Sequence, residues 1–197
     1  MDLVVLATRN EGKARELSRL LEGAVKRVQT LRDHPDVALP PETGSSYREN
    51  ALAKARAVNE ALGLPALGDD SGLEVDALDR GPGLYSARFA GEAATDAANN
   101  ALLLQSLAGV PPDGRTARYH CALVLVRGQD DVLEVEGICE GRILDAPRGA
   151  GGFGYDPLFL PEGETLTFGE LPSPRKDSIS HRGRAAALLG RAIRHGD

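Results

Sequence analysis

The chain has no tryptophan, and only four phenylalanines and four tyrosines among 197 residues. Aliphatic side chains must therefore do most of the packing, and each aromatic in a polar or glycine-rich setting is a candidate for another task. Only two cysteines occur, Cys121 and Cys139, in apolar, strand-like contexts. Their spacing matches no metal motif, so two reduced thiols in or near the core are expected. No apolar run approaches the roughly 20 residues of a membrane span. The N-terminus lacks the basic start and long apolar stretch of a signal peptide, so a cytoplasmic location is expected. Basic excess is missing too: the formal net charge is −6. Broad duplex binding needs a cationic face to displace counterions, so a nucleic-acid partner is not expected. One small polyphosphate in a locally cationic pocket remains allowed.

What is present is enough apolar residue, 42 %, for one substantial domain spanning 1–197, with room for two lobes around a cleft. There is no internal repeat, low-complexity tract or linker. Leu3–Ala7 is a compact apolar run and reads as a buried strand. Asn10 can cap the following helix, whose apolar face is Leu17, Leu20 and Leu21. Residues 25–31 read as a second strand and 34–43 as a loop. Ser46 and Glu49 have capping-box spacing at the start of a long helix over Tyr47–Leu62. A strand end is expected at the Asp69–Asp70 pair, with a turn at Ser71–Gly72 and strand again over 73–77. Residues 80–91 read as irregular and 93–107 as helix. Two long strands, 115–126 and 132–144, are joined by a turn at 127–131. A glycine-rich loop follows over 146–156, and the last helix is expected over 179–193. The order is mixed rather than strictly alternating, which implies an α/β fold with a mixed sheet.

Four segments carry chemistry. At Thr8, Arg9, Asn10, Glu11, Gly12 and Lys13 a strand passes through a polar turn into a helix. Free backbone N–H groups and the positive dipole end there attract phosphate, although an ordinary capped helix gives the same pattern. The segment lacks the glycine-lysine-serine pattern of a P-loop. Adjacent carboxylates at Asp69 and Asp70 repel each other, which a divalent cation relieves, and Mg²⁺ prefers oxygen ligands. A carboxylate there can activate water, whereas the bland alternative is an acidic turn. Glu42 is a candidate second acidic ligand or a solvated loop residue. Phe153, Gly154, Tyr155 and Asp156 form an aromatic–glycine loop that can stack on a base, or whose rings plug the core. Lys176, His181 and Arg182 precede an apolar helix, as base and phosphate contacts or as solvated basic residues of a helix start. No serine–histidine–acid or cysteine–histidine pattern calls for a covalent nucleophile.

Taken in order, these segments resemble the non-standard purine nucleoside triphosphate pyrophosphatases, the inosine/xanthosine triphosphatase family. The likeness runs through Leu6-Ala7-Thr8 to Lys13, Glu42-Thr43-Gly44, Glu49-Asn50-Ala51 with Lys54-Ala55-Arg56, and Asp69-Asp70-Ser71-Gly72-Leu73. It continues through Gly83 to Arg88, Gly152 to Pro157, and Lys176 with Ile179 to Gly183. The resemblance implies Mg²⁺-dependent hydrolysis of ITP, dITP and XTP to the monophosphate and pyrophosphate. It implies an elongated mixed β-sheet flanked by helices, two lobes around a central active-site cleft, and a homodimer. It assigns Thr8 to Lys13 to the triphosphate and both Asp70 and Asp69 to the catalytic set, with Asp70 as proton acceptor and metal ligand and Glu42 as a further metal ligand. Ser71, Phe153 to Asp156, Lys176, His181 and Arg182 fall to the substrate.

Two other readings compete. A septum-inhibitor-like (Maf-type) nucleotide pyrophosphatase shares the architecture and reaction but prefers other bases, and Ser180-His181-Arg182 favours the purine enzyme. A nucleotide sensor without turnover would not need the water-activating carboxylates.

Overall fold

The computed structural model describes residues 1–195. The elements in chain order are β1 (Leu3–Ala7), α1 (Glu11–Leu20), β2 (Arg27–Thr30), α2 (Tyr47–Leu62), β3 (Ala66–Val75), β4 (Gly81–Pro82) and α3 (Asp96–Ser106). They continue with β5 (Thr116–Val126), β6 (Val132–Ile143), β7 (Phe159–Pro161), α4 (Ser173–Ile179) and α5 (His181–His195). One sheet of seven strands has the order β2-β1-β3-β5-β6-β7, with β4 paired to β3. It is mixed: β1 runs parallel to β2 and β3, while β3–β4 and β6–β7 are antiparallel. The expected α/β class with a mixed sheet and flanking helices is the class found.

The chain divides into two compact units. The first comprises Met1–Asp70, Cys121–Gly137 and the chain from His181 onward; the second comprises Ser71–His120 and Ile138–Ser180. Strands β3, β5 and β6 supply residues to both.

In the first unit the alternation of strand residues decides which helix covers which face. Val4, Leu6 and Leu67 share a buried cluster with Leu17 and Leu21 beside α1 and with Ala185, Ala186 and Leu189 of α5. Val5, Ala7 and Ala66, the alternate residues, share another with Val58 of α2. Helix α2 lies directly on β3: a Cβ added to Gly68 would meet the Ala51 carbonyl oxygen at 1.9 Å. Ser46 caps α2, its hydroxyl accepting from Glu49 N–H at 3.2 Å. The Glu49 carboxylate accepts from the backbone and hydroxyl of Ser45, one residue before the reciprocal partner of an ordinary capping box. In the second unit aliphatic residues of β3, α3 and β5 pack around Tyr119, Phe159 and Phe168, with ring centroids 4.8–5.9 Å apart.

Three expectations are corrected. The aspartate pair does not end a strand: Asp69, Asp70, Ser71 and Gly72 are interior to the ten-residue β3. The chain stays extended there because each carboxylate finds donors on its own face of the sheet, described below. The last helix starts at His181 rather than Ile179, and a short helix that was not expected precedes it. Ser180, at φ −67° and ψ 158°, is extended and separates α4 from α5. The 80–91 segment is less irregular than expected, holding β4 and a 3₁₀ helix over Gly83–Arg88. Strand β7 had no clear signal, being three residues long. Both cysteines are buried, and neither forms a disulfide.

Candidate active site

The turn before α1 is built as its residue types require. Asn10 is the N-cap, its side-chain oxygen accepting from Lys13 N–H at 3.0 Å, and the Thr8 hydroxyl accepts from Asn10 N–H at 3.1 Å. Arg9 donates to the Val37 carbonyl at 2.7 Å, and Glu11 pairs with Arg32, so these two long side chains hold neighbouring loops. Gly12 is buried in the first turn of the helix.

Lys13 and Glu16 share the inward face of α1, three residues apart. Lys13 Nζ lies 2.6 Å from Asp69 Oδ1. Arg182, on the first turn of α5, donates through Nε to Asp69 Oδ2 at 2.8 Å and through Nη1 to Glu16 Oε2 at 2.6 Å. Asp69 is fully buried and Arg182 is 1 % exposed. Burial pushes the Asp69 carboxyl up, but Arg182 and Lys13 override it and hold it well below the usual carboxylate range. Burial likewise opposes the Lys13 charge, and Asp69 more than restores it. Cys121 Sγ is 3.5 Å from Asp69 Oδ2; burial first, and then that carboxylate, push its thiol well up. The close seat of α5 depends on Gly137, where a Cβ would lie 2.1 Å from the His181 carbonyl oxygen. His181 is buried at the start of α5.

On the other face of β3, Asp70 meets α2. Asn50 Nδ2 donates to Asp70 Oδ2 at 2.9 Å, and Lys54 Nζ lies 3.6 Å from Asp70 Oδ1 and 2.8 Å from Glu42 Oε1. Two carboxylates thus converge on one ammonium. The Asp70 carboxyl is pushed up from its ordinary value, by burial first and also by Glu42, against the pull of Lys13, Lys54 and the Asn50 amide. Asn50 and Lys54 lie one helical turn apart on the buried face of α2. Sequence reading left them out of the site. The signal was available: two polar residues at i and i+4 amid buried Ala51, Ala55 and Val58 require partners on the strand beneath.

In the second unit, the 152–156 loop is held from several sides. Gly152 and Gly154 have φ of +74° and +61°, and a Cβ on Gly152 would strike the Asp156 carboxylate at 1.9 Å. Asp156 accepts from Phe153 N–H at 2.9 Å and pairs with buried Lys176. Asp96 of α3 accepts from Gly154 N–H at 2.7 Å, and Asn100 donates to the Gly154 carbonyl at 3.0 Å. The Lys176 ammonium stands 5.2 Å from the centre of the partly exposed Phe153 ring. Tyr155 is a core residue, its hydroxyl donating to the Ser86 carbonyl at 2.8 Å. Ser71 is the first residue of this unit, half-buried on β3.

A family model, the Ham1 family, matches residues 4–192 of the chain. The chain belongs to the Ham1 family. Among curated relatives, a dITP/XTP pyrophosphatase of Geobacter sulfurreducens is 50 % identical over 189 residues, covering 96 % of this chain and 95 % of that one. A solved Ham1 protein of Coxiella burnetii superposes with a TM-score of 0.87 at 38 % identity, over 99 % of this chain and all of that one. A nucleoside-triphosphatase, or dITP/XTP pyrophosphatase, of Mycobacterium abscessus gives 0.75 at 46 % identity, over 95 % and 98 %. The Ham1 family is the one that the ordered motifs from Thr8 to Arg182 resemble. No helix among the described residues is long and apolar enough to cross a membrane.

Proposed function

We propose that this chain hydrolyses dITP, ITP and XTP to the nucleoside monophosphate and pyrophosphate with the help of Mg²⁺, and so clears non-standard purines from the nucleotide pool. The observation that carries the proposal is the convergence of Glu42 and Asp70 on one buried cationic position. The donor set suits a hard cation, since the ammonium held there already draws both carboxylates. No cluster of three or more His, Cys, Asp or Glu side chains occurs among the described residues. Two protein carboxylates with water and phosphate oxygens completing the shell is the habit of Mg²⁺ rather than of zinc. A metal bound by Glu42 and Asp70 supplies neutralisation of phosphate charge and polarisation of the phosphoryl group.

The protein's own residues do the rest. The N–H groups at the start of α1, with Thr8, Asn10 and Lys13, hold the triphosphate. Asp70 accepts the proton of the attacking water. Asp156 with Lys176 fixes the loop that carries Phe153, and the resemblance assigns that loop to the substrate. Inosine and xanthine carry a carbonyl at C6 where adenine carries an amino group. A buried donor left unpaired by adenine costs roughly 1–3 kcal/mol. We assign that donor to His181, with Arg182 occupied by Asp69 and Glu16. GTP shares the carbonyl, so its exclusion requires a further mismatch at the 2-amino group.

Pyrophosphate release from a panel of triphosphates with Mg²⁺ tests this. The expected order is ITP and XTP well above GTP, with ATP lowest. Equal efficiency on ATP and ITP, or phosphate release in place of pyrophosphate, overturns it. We also propose a homodimer. Tyr85, 62 % exposed beneath the Arg88 guanidinium, lies in the Gly83–Arg88 helix and suits an interface. A monomer by light scattering at micromolar concentration excludes it.

A further inference from the structure

We infer that Asn50 is a positioning residue, a two-ended spacer that fixes the Asp70 carboxylate relative to the loop carrying Glu42. The inference rests on the roles proposed above for Asp70 and Glu42. Asn50 is 3 % exposed. One end of its amide, Nδ2, donates to Asp70 Oδ2 at 2.9 Å; the other, Oδ1, accepts from Gly44 N–H at 2.8 Å. One small planar group therefore bridges a strand side chain and a loop backbone.

Asparagine suits this task for a simple reason. It offers donors and an acceptor on a short stem, whereas ionised aspartate only accepts and leucine does neither. The stem is itself fixed, since α2 is capped by Ser46 and seated on β3 at Gly68. The loop over residues 38–44 has no regular structure, so its hold on Glu42 comes from local bonds. At Gly44 the approach is close: an added Cβ would lie 2.6 Å from Asn50 Oδ1 and 2.9 Å from Glu49 Cβ. A side chain there forces the loop off the amide. With Asn50 on one Asp70 oxygen and Lys54 nearest the other, the carboxylate is held at both ends. Glu42 is brought to the same ammonium.

Two variants separate the bridge from mere packing. Asn50→Leu keeps the branched heavy-atom shape and loses both ends; Gly44→Ala leaves both side chains intact and displaces the loop. Mn²⁺ binding to the full chain, read by electron paramagnetic resonance without nucleotide, is expected to weaken in both. Partners that orient metal ligands typically contribute about 10–100-fold in affinity or activity. A loss toward that range is expected for Asn50→Leu and a smaller one for Gly44→Ala. On ITP, kcat should fall and the Mg²⁺ concentration that gives half-maximal rate should rise, which a merely structural role would not produce. Wild-type Mn²⁺ affinity and kcat in both variants, whether or not the melting temperature drops, overturn the inference and leave Asn50 a packing residue. A wild-type protein that binds no Mn²⁺ also overturns it. If Mn²⁺ binding weakens as expected but the wild type releases no pyrophosphate from any triphosphate, the spacer stands and the proposed reaction falls.

Discussion

The two faces of β3 in the first unit carry neighbouring aspartates in opposite electrostatic conditions. On the face shared with α1 and α5, Asp69 is met by Lys13 and Arg182, and Arg182 is met in turn by Glu16. Two cations balance two carboxylates, and the Asp69 carboxyl sits well below its ordinary range. On the face shared with α2, Asp70 and Glu42 converge on the Lys54 ammonium, and burial lifts the Asp70 carboxyl above its ordinary value against the pull of Lys13 and Lys54. In the first arrangement the charges balance within the protein. The second has more negative charge than its own cation neutralises, which is what a divalent ion and a chain of phosphates can use. Adjacency in sequence therefore says little about shared surroundings: a strand sends consecutive side chains to different faces, and here to different partners.

The largest expected effect breaks the comparison on the Asp70 face. Asp70→Asn keeps the shape and removes the charge required of both base and metal ligand. General-base contributions run to about 10²–10⁴-fold, so kcat on ITP should fall at least that far while nucleotide still binds. Folding stability without metal should not fall, because the lost charge was held under burial. Near-wild-type turnover of this variant at saturating Mg²⁺ removes Asp70 from the mechanism. The Asp69 face should respond the other way. Asp69→Asn leaves two buried cations facing a neutral amide, and breaking a buried pair costs about 3–5 kcal/mol. Urea unfolding should show a loss of that order, while the folded fraction still hydrolyses ITP. If Asp69→Asn instead abolishes turnover with unchanged stability, Asp69 is catalytic and the contrast between the faces is lost.

Much of this was readable in the residues, and what was not has a physical cause. The caps at Asn10 and Ser46 and the start of the helix over Tyr47–Leu62 are local events, set by side chains within four residues of the backbone groups they satisfy, while β1 showed as a short apolar run. The order of motifs from Thr8 to Arg182 carried the family. The run of β3 through the aspartates was misread as a turn because the cations that let an acidic pair stay in a sheet come from residues 13, 54 and 182, far away in the chain. The placement of Arg182 was hidden for the same reason. Its motif suggests a substrate contact; its burial between Glu16 and Asp69 depends on where α1 and α5 land. Asn50 and Lys54 stand in the motif without an evident task, since only the seat of α2 on Gly68 brings them to Asp70.

A smaller effect sharpens the assignment of Arg182. If it acts by holding Asp69, Arg182→Leu and Asp69→Asn should not add in stability. Residues in one ion-pair network show coupling of about 0.5–3 kcal/mol in a double-mutant cycle. The preference for ITP over ATP, measured on the folded protein below its melting range, should then be little changed by Arg182→Leu. Additive stability losses with an eroded ITP preference would make Arg182 a reader of the base, as its motif suggests.

The smallest expected effect lies in the pH dependence of stability, measured by urea midpoints in the presence of a chelator. Asp69, depressed on folding, contributes stability that is present above the ordinary carboxylate value and is lost as pH falls through its lower folded value. Asp70, raised on folding, does the reverse: its contribution is full below the ordinary value and is lost as pH rises through the higher folded one. Mild acidification from neutrality should therefore titrate Asp70 before Asp69. Over that window the wild type should gain stability relative to Asp70→Asn, which has nothing there to protonate. Below the ordinary range the wild type should lose stability relative to Asp69→Asn, as the carboxylate between Lys13 and Arg182 finally takes up a proton. The two difference curves should have opposite slopes in separate windows. Curves of the same sign, or both confined to strong acid, would mean that the faces of β3 are electrostatically alike, and the case for Asp70 as the poised carboxylate would lose its physical basis.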